Sequence, residues 1–220
     1  MSNIVVINTS PRKRGTSAML VGRLKDHLEA YGDNITFFNL YSHLKDLTAI
    51  FEAVSTADCL VICGPCYTNT YSADTTHLLE ELATRPGLFH GQSLYGIIQG
   101  GMPYAHTHIS GLNMLKLFAG HVDISYRGGF IMGLGAMLDG QPIEKLPNGK
   151  KVKKQLTIFF DHIHNSEPSP DSVYQASLMK IPGFVVRVLA MIMNHRIYKA
   201  FAARGMDARQ PSPYLSDEVL

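Results

Sequence analysis

Cysteine, charge and long uninterrupted apolar runs are all scarce in this 220-residue chain, and each scarcity removes a class of protein. Three cysteines, an odd number, argue against a disulfide framework, and because Met1-Ser2-Asn3 leads straight into an apolar strand-like run no signal peptide is expected. Together these point to a reducing cytoplasm. Charged residues make up 17% of the chain, and the formal net charge is only +2. The basic side chains are scattered apart from Lys150–Lys154, so no nucleic-acid partner is expected. The most apolar stretch, Phe184–Met193, contains Arg187 and runs into Asn194-His195-Arg196, too short an uncharged run for a membrane span. Two nucleotide signatures are also missing. The first loop has one glycine where G-x-G-x-x-G is needed, and no lysine precedes Thr16 or Ser17 as a Walker loop requires.

What is present is 45% hydrophobic content, enough for a full core in a chain of one-domain length with a helical addition. Ile4–Ile7, Ile35–Leu40, Ala57–Cys63 and Ser93–Gln99 read as buried strands, and Val122–Met132 holds a fifth, bent near Gly128-Gly129. Helical spacing follows the first loop, with Leu20, Leu24, Leu28 and Tyr31 on one face, and a polar connection runs from Leu40 to about Thr56. Further helices are predicted over Ser72–Thr84, stopped by Arg85-Pro86-Gly87, over Ile109–Ala119 and over Lys150–Asn165. Alternation at this spacing means βαβ units and a doubly wound parallel sheet. The expected division is a domain over residues 1–166 and a helical extension over 167–220. That extension contains Phe184–Ala203, apolar nearly all round, which must be covered by the domain or by a second copy. A homodimer is favoured.

The loop Asn8-Thr9-Ser10-Pro11-Arg12-Lys13-Arg14-Gly15-Thr16-Ser17, between the first strand and a helix start, suits a phosphate. Unpaired amides, the helix dipole and hydroxyl donors all favour an anion there, with Gly15 free to take a positive φ. The same residues also read as a basic solvated turn with Thr16 or Ser17 as helix cap. Ser10-Pro11-Arg12-Lys13-x-Gly15-Thr16-Ser17 resembles the phosphate loop of the NAD(P)H-dependent FMN reductase and iron–sulfur flavoprotein group. Gly64-Pro65-Cys66-Tyr67, Gly100-Gly101 and the glycine-rich Arg127–Ala136 stretch are similar to that group as well. So is the tail from Asn194-His195-Arg196 through Asp207-Ala208 to Pro213-Tyr214. The resemblance implies a flavodoxin-like sheet of order 2-1-3-4-5, which brings the loops after strands one, three and four together.

It also implies FMN as cofactor, with Ser10, Arg12, Thr16 and Ser17 on the phosphate. Pro65, Cys66, Tyr67, Thr68 and Asn69 would then lie along the ring, with Gly100 and Gly101 as a wall. The implied activity is electron transfer from NAD(P)H to a small acceptor such as a quinone, a flavin or a nitroaromatic. Tyr104 and His106 match no motif and are substrate-side candidates, and His106 with His108 otherwise reads as a solvated or capping pair. No residue stands out as an acid–base catalyst. Residues 40–56 contain no cysteine, which removes an iron–sulfur cluster, and no metal site is expected. Three other readings stay open: an FMN electron carrier without enzymatic activity, a dithiol protein using Cys63 and Cys66 in Cys-Gly-Pro-Cys, and a protein of this fold that binds no flavin and acts as an interaction module.

Overall fold

Strands that must be covered on both faces are recruited from continuous apolar runs, and here those runs fall between helices. The computed structural model describes residues 1–85, 87–207 and 210; Pro86, Ala208, Pro213 and Tyr214 lie outside them. The elements are β1 (Asn3–Asn8), α1 (Thr16–Ala30), β2 (Asn34–Asn39), α2 (Thr48–Ser55), β3 (Cys59–Pro65) and α3 (Ala73–Ala83). They continue with β4 (Ser93–Gln99), α4 (Ile109–His121), β5 (Ser125–Met132), α5 (Gly149–His164), α6 (Ser172–Ser177) and α7 (Gly183–Ala202). The five strands form one parallel sheet of order β2-β1-β3-β4-β5. Every residue of β3 and β4 is buried, whereas the edge strand β2 leaves Phe37 exposed.

Helices cover both faces: α1 packs with α5, and α3 with α4. On α1, Leu20, Leu24 and Leu28 are buried as their spacing requires. Tyr31 is not on that face. It ends the helix and stacks on the His164 ring, with centroids 4.5 Å apart. The segment expected as a plain polar connection contains α2, whose Ile50, Phe51 and Val54 are buried. The bend in β5 is a bulge: Leu94 pairs with Tyr126 and Tyr95 with Gly128, which leaves Arg127 as the extra residue. Gly128 sits at φ +129, where a Cβ would lie 2.5 Å from the Ser169 carbonyl oxygen.

The chain forms two compact units, the first ending at Met179 and the second beginning at Lys180. A boundary expected after residue 166 therefore falls later, because α6 packs on β5 and α5 inside the first unit. The second unit carries α7, none of whose residues is buried; Phe184, Met191 and Met193 are more than half exposed. Among the described residues, no helix is long and apolar enough to cross a membrane.

Strand β3 also decides the chemistry of the cysteines. Cys59 and Cys63 are fully buried within it, and burial pushes both thiols well above the ordinary range. Cys66 lies just past the strand, half-buried, its Sγ 3.2 Å from the Thr107 carbonyl oxygen, and burial raises its thiol too. A reactive dithiol needs a depressed pKa at a helix start. Here α3 begins only at Ala73, and the first thiol of the pair is inside the sheet. Ellman's reagent is expected to titrate one thiol per native chain and all three after denaturation. Two fast native thiols would contradict this burial.

Candidate functional site

Order reverses at β1, whose chain continues to β2 on one side while β3 pairs on the other. Such a switch point leaves a crevice beyond the carboxyl ends of the strands. Asn8, the last residue of β1, pairs across with Cys63 and Asn39, so the loops after β1 and β3 leave the sheet side by side. The Thr9 amide donates to the Cys63 carbonyl at 2.8 Å. Gly64 admits this approach, because a Cβ there would collide with Thr9 Oγ1.

The loop after β1 is shaped by its own side chains. Asn8 Oδ1 accepts from the Ser10 amide at 3.1 Å, and Ser10 Oγ accepts from the Arg12 amide at 3.3 Å. Helix α1 then starts at Thr16 with Gly15 as its N-cap and no side-chain cap. Neither Thr16 nor Ser17 caps the helix, so the positive end of α1 opens on the crevice with its first-turn N–H groups unclaimed by a cap. Gly15 is extended, at φ 179, and the positive φ expected there is absent. Its neighbour across the gap is Gly140, where a Cβ would meet the Gly15 backbone at 3.3 Å.

A cavity of about 180 Å³ occupies this place. Ser10, Arg12 and Thr16 line one end of it, and Pro65, Cys66 and Tyr67 line another part, with Gly100 and Gly101 completing the wall. An adjoining cavity of about 200 Å³ shares Cys66, Gly100 and Gly101 and adds Thr68 and Asn69. The three loops named from the sequence thus meet. Ser17 lies beneath the cavity, buried, its hydroxyl accepting from Gln99 Nε2 at 3.3 Å. The Thr16 hydroxyl donates to the Gly135 carbonyl at 2.7 Å. Tyr104 and His106 line neither cavity and stack on each other, with ring centroids 5.5 Å apart.

Tyr67 and Thr70 form a two-residue hairpin, with N–H···O distances of 2.7 and 3.2 Å. Its tip holds both Thr68 and Asn69 in the left-handed region, at φ 50 and 71. Asparagine tolerates that region, but a β-branched threonine is strained there, and such strain concentrates at functional sites. Tyr67 stands 47% exposed beside the cavity, a flat surface available to a planar ligand. Among the described residues no group of three or more His, Cys, Asp or Glu could hold a metal ion.

Several lining residues carried no sequence signal. Gln99 ends β4 with its Oε1 buried and unpartnered beside the first cavity, an acceptor waiting for a donor. His108 is 1% exposed rather than solvated. Its Nδ1 lies 2.9 Å from the Tyr104 carbonyl oxygen, so that nitrogen carries the proton, and burial lowers its pKa. Nε2 is left unpartnered against Gly100. Ala136 and Asp139, from the segment after β5, close the first cavity, and Asp139 Oδ1 accepts from Arg12 Nη1 at 2.8 Å.

The donor set suits a monophosphate: a guanidinium, a serine hydroxyl and an open helix start. The hairpin and glycine wall suit a flat heterocycle with polar edges. No curated protein matches the sequence. Among solved structures, an apo NADH:FMN oxidoreductase superposes with a TM-score of 0.59 at 21% identity, over 79% of this chain and 94% of its own. A WrbA-like flavodoxin protein from Agrobacterium tumefaciens gives 0.56 at 12% identity, over 80% and 99%. An azoreductase from Bacillus anthracis str. Sterne gives 0.54 at 9% identity, over 76% and 98%. At these identities the likeness is one of fold, and the fold is flavodoxin-like. A model of the NADPH-dependent FMN reductase family matches residues 2–122, which carry all three loops, and the chain belongs to that family.

Proposed function

We propose that the protein holds FMN in this crevice and uses NAD(P)H to reduce a small acceptor, such as a quinone, a free flavin or a nitroaromatic. The observation that carries the reading is the meeting of three separate loops around one pair of cavities beside an uncapped helix start. When bound, FMN would supply the redox chemistry, as the two-electron carrier between the nicotinamide and the acceptor. Arg12, Ser10 and the first-turn amides of α1 anchor the phosphate. Pro65, the Tyr67–Thr70 hairpin and Gly100-Gly101 orient the ring, and Tyr67 walls one side. Neutral His108 is buried beside Gly100 and holds no proton at Nε2. The stacked Tyr104 and His106 sit on the loop leading away from Gly101 and line neither cavity. Hydride transfer between two ring systems asks for orientation and exclusion of water rather than for a side-chain acid.

Purified protein titrated with FMN should quench flavin fluorescence to a 1:1 end point, and anaerobic NADPH or NADH should then bleach the flavin absorption. Saturable binding without bleaching would turn the reading into an electron carrier fed by another reductase. An absence of binding would refute it.

The reading includes a cytoplasmic homodimer in which α7 of one copy is covered by another. Three free cysteines support the reducing compartment. The support for the dimer is the apolar surface of α7, where Phe184 is 71% exposed, Met191 63% and Met193 60%. Sedimentation at micromolar concentration should give a dimer that Leu189→Glu with Met193→Glu converts to a monomer. A monomeric wild type would overturn it.

A further inference from the structure

The segment between β5 and α5 folds back across the phosphate loop. Leu134 and Asp139 both adopt left-handed backbone, at φ 61 and 46, which turns the chain tightly over the crevice. Thr16 Oγ1 donates to the Gly135 carbonyl at 2.7 Å, and the Gly140 amide donates back to Thr16 Oγ1 at 3.4 Å. Between these anchors Asp139 reaches Arg12 at 2.8 Å, and both side chains line the first cavity. Arg12 is the only cation among the residues lining that cavity, and it already has an anionic partner there. This segment lies outside the residues 2–122 matched by the family model.

We propose that Asp139 is a specificity-determining residue that competes with the FMN phosphate for Arg12, so that the cofactor binds by displacing the Asp139 carboxylate. The proposal rests on the FMN reading above. Each member of the ion pair is 71% exposed, so the bond is screened by water and exchanges easily. A phosphate brings up to two charges and accepts a guanidinium through two parallel hydrogen bonds, which lets it win the exchange. The freed carboxylate then stays on the rim of the same cavity, tethered by the Thr16 contacts to Gly135 and Gly140, where it repels the phosphate. The result is an FMN affinity held below what the loop alone would give. Riboflavin carries no phosphate and is indifferent to Asp139. A carboxylate that merely pre-orients Arg12 would act in the opposite sense, since its loss would weaken FMN.

The test is equilibrium titration of the full-length protein with FMN and with riboflavin, followed by flavin fluorescence. Asp139→Asn keeps the shape and removes the charge at an exposed position, and thermal melting checks that it folds. The expected result is FMN bound about three- to tenfold tighter with riboflavin unchanged, and a smaller gain when Arg12→Gln is already present. Unchanged or weaker FMN binding in Asp139→Asn would overturn the proposal and leave the FMN reading intact. So would a gain of equal size in the Arg12→Gln background, which would mean plain repulsion without competition. Wild-type protein that binds no FMN would refute the reading and the proposal together.

Discussion

The close parallel pairing of β1 with β3 is the constraint on which the rest of the molecule depends. Just past the end of β1, Thr9 donates to Cys63, two residues before the end of β3, and the absence of a side chain at Gly64 lets the two backbones meet there. From that contact the two loops leave the sheet together. One leads to the open start of α1, and the other to the Tyr67–Thr70 hairpin. Pairing of Pro65 with Gln99 extends the same edge to the glycine pair after β4, and the Cys66 amide reaches the Gln99 carbonyl at 2.7 Å. A shift of β3 by one residue would exchange its two buried faces, put Cys63 against different neighbours and separate the loops. Fold and site thus share one register.

The same register explains which cysteine faces chemistry. Cys-Gly-Pro-Cys looks like a dithiol motif when only the four residues are considered. The end of β3 divides it: Cys63 belongs to the core, and Cys66, just past the strand, to the cavity wall. Burial then opposes ionisation of both, and the redox work passes to whatever the cavity holds. The flavodoxin-like topology and the family of FMN reductases name the cofactor that suits it.

The central architecture was legible because buried parallel strands leave unbroken apolar runs, as Cys59–Cys63 and Leu94–Ile98 do. The loops were legible because small residues and prolines cluster where the runs end. Helix α2 was not, since eight residues with three inward side chains carry too short a pattern to stand out from a polar connection. His108 misled for a different reason. Gly111, where a Cβ would strike Ile98 and crowd Tyr71, lets α4 lie close against the sheet, and that closeness buries the residue at its start. Nothing local to a histidine in a loop signals it. Asp139 is likewise invisible in sequence, because its meaning comes from Arg12, 127 positions away. The bend in β5 was legible from the pair Gly128-Gly129, whereas the identity of Arg127 as the extra residue is set by the pairing with β4.

The central claim is that three loops at the strand ends form one FMN site organised by the start of α1. Backbone amide NMR of the isotope-labelled protein titrated with FMN tests this most directly. The account predicts shifts concentrated in residues 10–17, 65–70, 99–101 and 134–140, with inorganic phosphate moving only the first group and the residues around Asp139. Shifts centred instead on the cleft at Arg23, His27 and Lys153, or on α7, would contradict it.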